Sequence, residues 1–319
     1  MFFKAHDNIF IHLRLSIQPM FSLTKKRWQW AAMVLLAFIW GCSFILMKKG
    51  MVSFSDIQVA AIRIFFGFIV LLPFAIRSFK KLNSQNAKSL AFSGIIGNLI
   101  PAFLFTYAET SLSSSLAGIL NSLSPFFTLV VGIIIFKNRP GFLQYLGIII
   151  GFLGAILLVT NGNFSSLNDI NFYALIVVFA TLLYGINSNV IRHKLVGLNG
   201  VEITSLAFMF IGPFAGIILF STDLKPAINS PHFWSSLAAV LALSIFGSVL
   251  SLFIYNNLIH HTSAIFATSV TYIIPIFALM WGILDGESLG ILQVISMLVI
   301  LSGVYLVNSK WTRAKIIKI

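Results

Sequence analysis

A single arginine within an apolar stretch is the residue with the clearest potential for chemistry in this sequence. Arg63 lies about two helical turns inside the apolar run 57–77. An unpaired charge at such a depth in a hydrocarbon environment costs roughly 2.5–3.5 kcal/mol or more. The guanidinium can hold a ligand carboxylate, or its long side chain can reach back to the near end of the run, at the level of Asp56. We expect the first role.

Two other apolar runs combine a central proline with small and polar residues on one face. Asn121 lies one turn before Pro125, and Thr271 lies one turn before Pro275. Each proline removes a backbone N–H and frees the carbonyl one turn earlier. Close helix packing also explains small residues at this spacing. Two broken helices at matched positions nevertheless favour a ligand site between them.

Amide and aromatic side chains in the centres of other runs complete the predicted site. Trp40 and Tyr184 lie well within their runs, whereas Trp and Tyr near the ends of a span more often act as interfacial anchors. A pocket with one cation, several amides and aromatic walls suits a zwitterion or a carboxylate. The predicted binding residues are Trp40, Ser43, Arg63, Asn98, Asn121, Pro125, Tyr184, Asn187, Thr268, Thr271, Tyr272 and Pro275.

The composition indicates which elements carry these residues. Of the 319 residues, 58% are hydrophobic and 9% are charged, with a mean hydropathy of +0.98. A soluble domain is about 25% charged, so a water-soluble globule is excluded. The net charge of +13 lies in short clusters between apolar runs, without the continuous basic face that nucleic acid requires.

The apolar runs are long and apolar at nearly every position, unlike the alternating strands of a membrane barrel. We therefore predict an all-α integral membrane protein in a lipid bilayer. Its ten transmembrane helices are expected over residues 28–48, 57–77, 88–108, 114–136, 141–160, 171–191, 201–220, 233–254, 264–284 and 289–308.

Basic residues give the expected orientation. Of the 21 Lys and Arg residues, all except Lys48, Lys49, Lys225 and Arg63 fall on one side when ten spans are assumed. Cytoplasmic segments carry the excess of Lys and Arg. Both termini are therefore predicted to be cytoplasmic, as tails over residues 1–27 and 309–319. Residues 1–19 are expected to be a loosely held extension or the product of an upstream start codon.

A long internal repeat divides the chain. At an offset of 150 residues, Gly97 and Pro125 meet Gly247 and Pro275. Chance matching in a Gly- and Leu-rich chain is the alternative, but the matches stay in order across a half. Five spans per half is an odd number, so the second half should be inverted relative to the first, as in many secondary transporters. The halves cover residues 28–160 and 171–308.

These features resemble the EamA-like members of the drug/metabolite transporter superfamily. The resemblance rests on the residues 40–44 (WGCSF), on Arg63, and on the stretch 110–139 with its second copy from Pro275 to Glu287. Asn138 departs from the family pattern, in which an acidic residue often follows the fourth span, as Glu287 follows the ninth. The resemblance implies an inner-membrane exporter of small metabolites such as amino acids, or alternatively of drugs and toxic compounds, that works by alternating access.

Acidic residues bear on energy coupling. Glu109 and the other acids near the spans lie at or near their ends, and no predicted span has a carboxylate at its centre. A proton relay usually needs such a group. We therefore predict facilitated export or exchange without a buried proton carrier. Glu109 is the alternative coupling residue, because the third span could extend to include it.

Other functional classes have weaker support. His260 and His261 are adjacent, so on a helix they would point about 100° apart, and we predict that they lie in a cytoplasmic loop rather than in a metal site. The single Cys excludes a multi-cysteine metal site, and no phosphate-binding loop or catalytic dyad is present. We predict no enzyme activity, cofactor or metal. A membrane-embedded enzyme, a receptor or a scaffold is the alternative class, and the sequence does not define the oligomeric state.

Overall fold

The computed structural model describes residues 23–160, 172–284 and 291–308, which are almost entirely helical and contain no strand. Both predicted tails lie largely outside these residues. So do Asp285 and Glu287, including the acid of the predicted motif after the ninth span.

Long helices occur at all ten predicted positions. Eight are long and apolar enough to cross a membrane, and α5 and α10 contain the shorter apolar stretches Phe142–Gly154 and Val294–Gly303. The helices are α1 (Lys26–Gly50), α2 (Asp56–Ser78), α3 (Ser84–Glu109), α4 (Ser114–Ile134), α5 (Phe142–Thr160), α6 (Phe172–Lys194), α7 (Gly200–Phe220), α8 (Phe233–His261), α9 (Ala264–Leu284) and α10 (Ile291–Asn308).

Helix α8 departs most from the predicted boundaries. It was expected to end at residue 254, but it continues to His261. The prediction that His260 and His261 lie in a loop is therefore wrong. The helix continues beyond the apolar run because Arg192 holds its last turn. The Nη1 atom of Arg192 donates to the carbonyls of Ile259 and His260, at 3.2 and 2.9 Å.

Local side-chain caps define where several helices begin. Ser55 and Gln58 form a reciprocal capping box at the start of α2, and Asn199 and Glu202 form one at the start of α7. Each box gives a hydrogen-bond acceptor to two backbone N–H groups that the start of a helix would otherwise leave unpaired. Helices α2 and α7 thus begin with the same device at corresponding places in the two halves.

Helices α4 and α9 are broken near the two prolines, as the sequence predicts. A 3₁₀ segment covers Asn121–Leu123 in α4, and another covers Ser269–Tyr272 in α9. The carbonyls that the prolines free each accept a hydrogen bond from a serine hydroxyl. The Ser124 hydroxyl donates to the Asn121 carbonyl at 2.8 Å, and the Ser122 hydroxyl donates to the Thr271 carbonyl at 3.0 Å. The second bond joins the two breaks directly.

Helices α3 and α8 contain wider π-helical segments. These cover Ile95–Leu99 and Leu243–Leu250, around the repeat-matched glycines. Such bulges often mark functional sites within helices.

Helix α2 packs along α7, and α5 packs along α10. Glycines allow the close approach of α7 to α2, because Cβ atoms at Gly212 and Gly216 would overlap the rings of Phe68 and Phe65. Polar contacts join the pair at each end. The Gln58 Nε2 atom donates to the Asp223 carbonyl at 2.9 Å, and Lys81 forms a 2.7 Å ion pair with Glu202. Helices α2 and α7 are therefore held together by close packing in their middle and by polar contacts at both ends.

We expect Gly212→Ala to destabilise the protein by about 1–3 kcal/mol, because the new methyl group displaces Phe68, despite the higher helix propensity of Ala. Thermal unfolding in detergent measures the effect. Ile217→Ala, at a side chain that is 65% exposed on the same helix, is the control and should change stability little. Equal stability of Gly212→Ala and the wild type would contradict this packing.

Candidate functional site

A central cavity lies among helices of both halves. Its volume is about 90 Å³, enough for several water molecules. The lining side chains come from α1, α2, α3, α4, α6, α8 and α9. They are Trp40, Ser43, Phe44, Met47, Arg63, Ile64, Gly97, Asn98, Phe105, Asn121, Ser124, Tyr184, Asn187, Ser188, Gly247, Ser248, Leu252, Tyr255, Thr268 and Thr271.

Most of the predicted binding residues meet at this cavity, although they are up to 231 positions apart in the numbering, from residue 40 to residue 271. The structure places Trp40, Ser43, Arg63, Asn98, Asn121, Tyr184, Asn187, Thr268 and Thr271 around it. It does not place Pro125, Tyr272 or Pro275 there. The prolines are buried in the helical segments that follow the breaks, and the Tyr272 ring packs against Gly151.

Among the residues that the structure describes, Arg63 is the only charged one that lines the cavity. Its Nε atom donates to the hydroxyl of Ser248 at 2.8 Å, and the Ser244 hydroxyl donates to its backbone carbonyl at 2.7 Å. The side chain therefore turns into the bundle toward α8 and does not extend to the level of Asp56. No described carboxylate lies within ion-pair distance of the guanidinium, so its charge is available to a ligand.

Aromatic rings form much of the remaining wall. The indole N–H of Trp40 donates to the Gly247 carbonyl at 3.1 Å, and its ring meets Tyr255 edge-on at 5.2 Å between centroids. The rings of Phe105 and Tyr184 stack at 5.8 Å. These contacts fix the orientation of the rings, which gives the cavity a defined apolar surface.

Asn187 presents an amide at the wall where α6 meets the π-helical segment of α3. Its side chain packs so closely on Gly97 that a Cβ there would overlap its Nδ2 atom, and its Oδ1 atom has no hydrogen-bond partner. Gly97 thus provides the space that Asn187 occupies. An amide with unused hydrogen-bonding capacity beside a cavity is suited to a polar ligand.

The sequence did not settle whether Glu109 belongs to the third span. The third predicted span stopped at residue 108, but α3 includes Glu109 as its last residue, and the side chain is 6% exposed. Neither carboxyl oxygen has a hydrogen-bond partner. The prediction that no span has a carboxylate at its centre is unaffected, because Glu109 lies at the end of α3, but its burial was not predicted.

Sequence reasoning missed Ser248 as the partner of Arg63. It lies in an apolar run and directly follows Gly247, which the repeat did identify. Only the packing of α2 on α8 brings the two residues together, 185 positions apart. Phe105 and Leu252 were missed for a simpler reason, since an apolar side chain beside a cavity has no sequence signal that distinguishes it from the core.

Comparisons with known proteins agree with this architecture. The model of the EamA-like transporter family matches the chain twice, over residues 27–160 and 171–309. The uncharacterized inner membrane transporter YedA of Escherichia coli is 27% identical over 288 residues, which cover 87% of this chain and 89% of that protein. An uncharacterized transporter of Archaeoglobus fulgidus is 24% identical over 290 residues, which cover 88% of this chain and 99% of that protein.

A solved structure has the same fold. The crystal structure of another protein superposes with a TM-score of 0.60 at 14% identity, over 86% of this chain and 95% of the other.

Proposed function

The chain belongs to the EamA-like transporter family, and from this premise we propose that it exports small metabolites, such as amino acids, across the inner membrane by alternating access. The observation that carries the choice of substrate is the charge of the cavity. Arg63 supplies one positive charge, and no carboxylate is among the described residues that line the wall. A net cationic substrate would meet an uncompensated repulsion, whereas the carboxylate of an anion or zwitterion would pair with the guanidinium.

The lining of the cavity supports a small polar substrate, because it presents one cation beside several amide and hydroxyl groups. The aromatic walls would also suit a drug, which is the alternative proposal of multidrug efflux. The polar lining favours the smaller metabolite.

We also propose that the ten helices span the membrane in two inverted repeats of five, with both termini in the cytoplasm. Three observations support this arrangement. Each match to the family model covers five of the helices, the breaks in α4 and α9 are at matched positions, and α2 and α5 pair with their counterparts α7 and α10. The distribution of Lys and Arg gives the orientation.

In alternating access, the closely packed α2–α7 pair would move as a unit relative to the other helices. That pair carries Arg63, whose contact with Ser248 on α8 is one hydrogen bond. A substrate carboxylate that binds the guanidinium changes the balance of contacts between α2 and α8. This is the differential interaction that a ligand needs in order to shift a conformational equilibrium.

We expect Arg63→Gln to reduce binding of carboxylate substrates by roughly 10–150-fold, since charge-assisted hydrogen bonds contribute about 1.5–3 kcal/mol. Counterflow of free radiolabelled amino acids, each of the standard twenty in turn, measures transport in proteoliposomes. Thermal stabilisation of the protein by acetate measures binding. Arg77→Gln, an exposed position on the same helix, is the matched control and should behave as the wild type. Unchanged transport in Arg63→Gln would refute the assigned site.

The topology has its own test. Alkaline phosphatase fused after Asp223 should be active, because the loop between α7 and α8 is expected outside the cytoplasm. Green fluorescent protein fused after Ile319 should fluoresce, because it folds in the cytoplasm. Absence of fluorescence from the C-terminal fusion would show an odd number of spans or the opposite orientation.

A further inference from the structure

Six serine and threonine side chains line the central cavity, and one of them differs from the rest in its hydrogen bonding. A hydroxyl on a helix can donate to a carbonyl three or four residues earlier on the same helix. Five of the six do so, at 2.8–3.0 Å, namely Ser43, Ser124, Ser188, Thr268 and Thr271. The hydroxyl of Ser248 instead accepts from the Nε atom of Arg63 at 2.8 Å, and no described residue accepts a hydrogen bond from it.

The backbone of α8 gives a physical reason for this exception. Ser248 lies in the π-helical segment Leu243–Leu250, where the backbone bonds span five residues and the turn is wider than in an α-helix. The carbonyl that a serine hydroxyl usually reaches is thereby displaced. The preceding carbonyl, of Gly247, accepts from the Nε1 atom of Trp40 at 3.1 Å and from the Ser251 hydroxyl at 2.7 Å. Trp40 on α1 therefore holds the segment that presents Ser248 to the cavity.

The guanidinium of Arg63 is partly used in the same way. Its Nε atom donates to Ser248, and no described residue accepts from its two Nη atoms. Neither Nη atom is among the enclosed polar atoms that lack a partner, and the side chain lines the cavity. The Nη atoms are therefore open to the cavity. The end of the guanidinium and the proton of the adjacent hydroxyl are both free to bind a ligand.

We propose that Ser248 is a substrate-binding residue whose hydroxyl donates to the same carboxylate that the Nη atoms of Arg63 bind. This inference rests on the proposed function of Arg63 and adds a second donor to that site. A carboxylate has two acceptor oxygens, so one oxygen can face the guanidinium and the other the hydroxyl. Hydrogen bonds to an ionised acceptor are stronger than those to a neutral one. Both donors therefore favour a carboxylate over a neutral ligand of the same shape.

The two donors belong to different halves of the chain. Arg63 lies within the first match to the family model and Ser248 within the second. A bound carboxylate would therefore link α2 to α8 directly and stabilise the conformation in which these helices are in contact. A ligand shifts a conformational equilibrium only through such a difference in its contacts. Ser248 thus gives the substrate a preference for one conformation that Arg63 alone would not provide.

Equilibrium binding of acetate to the full-length protein in lipid nanodiscs tests this contact. We expect Ser248→Ala to weaken acetate binding by about tenfold or more, because a hydrogen bond to a charged group is lost. Ser248→Cys retains nearly the same size with a weak donor and should also bind acetate more weakly than the wild type. Ser235→Ala, at an exposed serine on the same helix, is the matched control and should bind acetate as the wild type does.

A second measurement separates a direct contact from a role in orienting Arg63. Solid-state NMR of the wild type in lipid bilayers uses acetate labelled with ¹³C at the carboxyl carbon and serine labelled at Cβ. A through-space cross-peak should join the two carbons, disappear in Ser248→Cys and persist in Ser235→Ala. A serine that only oriented Arg63 would change the affinity without giving this cross-peak. The wild-type spectrum also keeps the proposal testable if Ser248→Ala does not fold.

The outcomes distinguish this proposal from the one on which it rests. Acetate binding that requires Arg63 but is unchanged in Ser248→Ala would overturn the role of Ser248 alone. A wild-type spectrum at saturating acetate without the serine cross-peak would do the same. Acetate binding that is equal in the wild type and Arg63→Gln would overturn the carboxylate site, and with it the contact to Ser248.

Discussion

The cost of keeping the Arg63 guanidinium away from bulk water is the constraint around which the centre of the bundle is arranged. The side chain turns toward α8, where Ser248 accepts one hydrogen bond, and its remaining charge faces a cavity. Polar and aromatic residues from seven helices surround that cavity. An apolar residue at position 63 would leave the cavity without this positive charge.

The two helix breaks follow from the related requirement that backbone groups in a membrane be satisfied internally. Pro125 and Pro275 each free a carbonyl, and hydroxyl groups satisfy both. One of these bonds crosses from α4 to α9, which places the two breaks against each other. The cavity residues Asn121 and Thr271 therefore lie on adjoining short segments, and both of their freed carbonyls are hydrogen-bonded.

Much of the fold could be predicted because long apolar runs report directly on membrane helices. The helix ends were accurate wherever hydrophobicity and helix ended together. They failed at α8, whose final turn is held by Arg192, and at the start of α3, where the cap at Asn83 begins the helix before the apolar run. Composition carries no information about such contacts. The π-helical segments were also missed, since an apolar sequence does not show where a helix widens. Tyr272 was wrongly predicted to line the cavity, because the sequence of α9 does not show that its ring packs against Gly151 of α5.

The most direct test of the account is a comparison of acetate with acetamide as ligands of the wild-type protein. The two compounds have nearly the same size and shape, but only acetate carries the charge that Arg63 would bind. Equilibrium binding to the purified protein in nanodiscs should show acetate bound at least about tenfold more tightly, which is roughly 1.4 kcal/mol. Equal affinity for the two compounds would contradict the claim that the Arg63 charge selects the substrate.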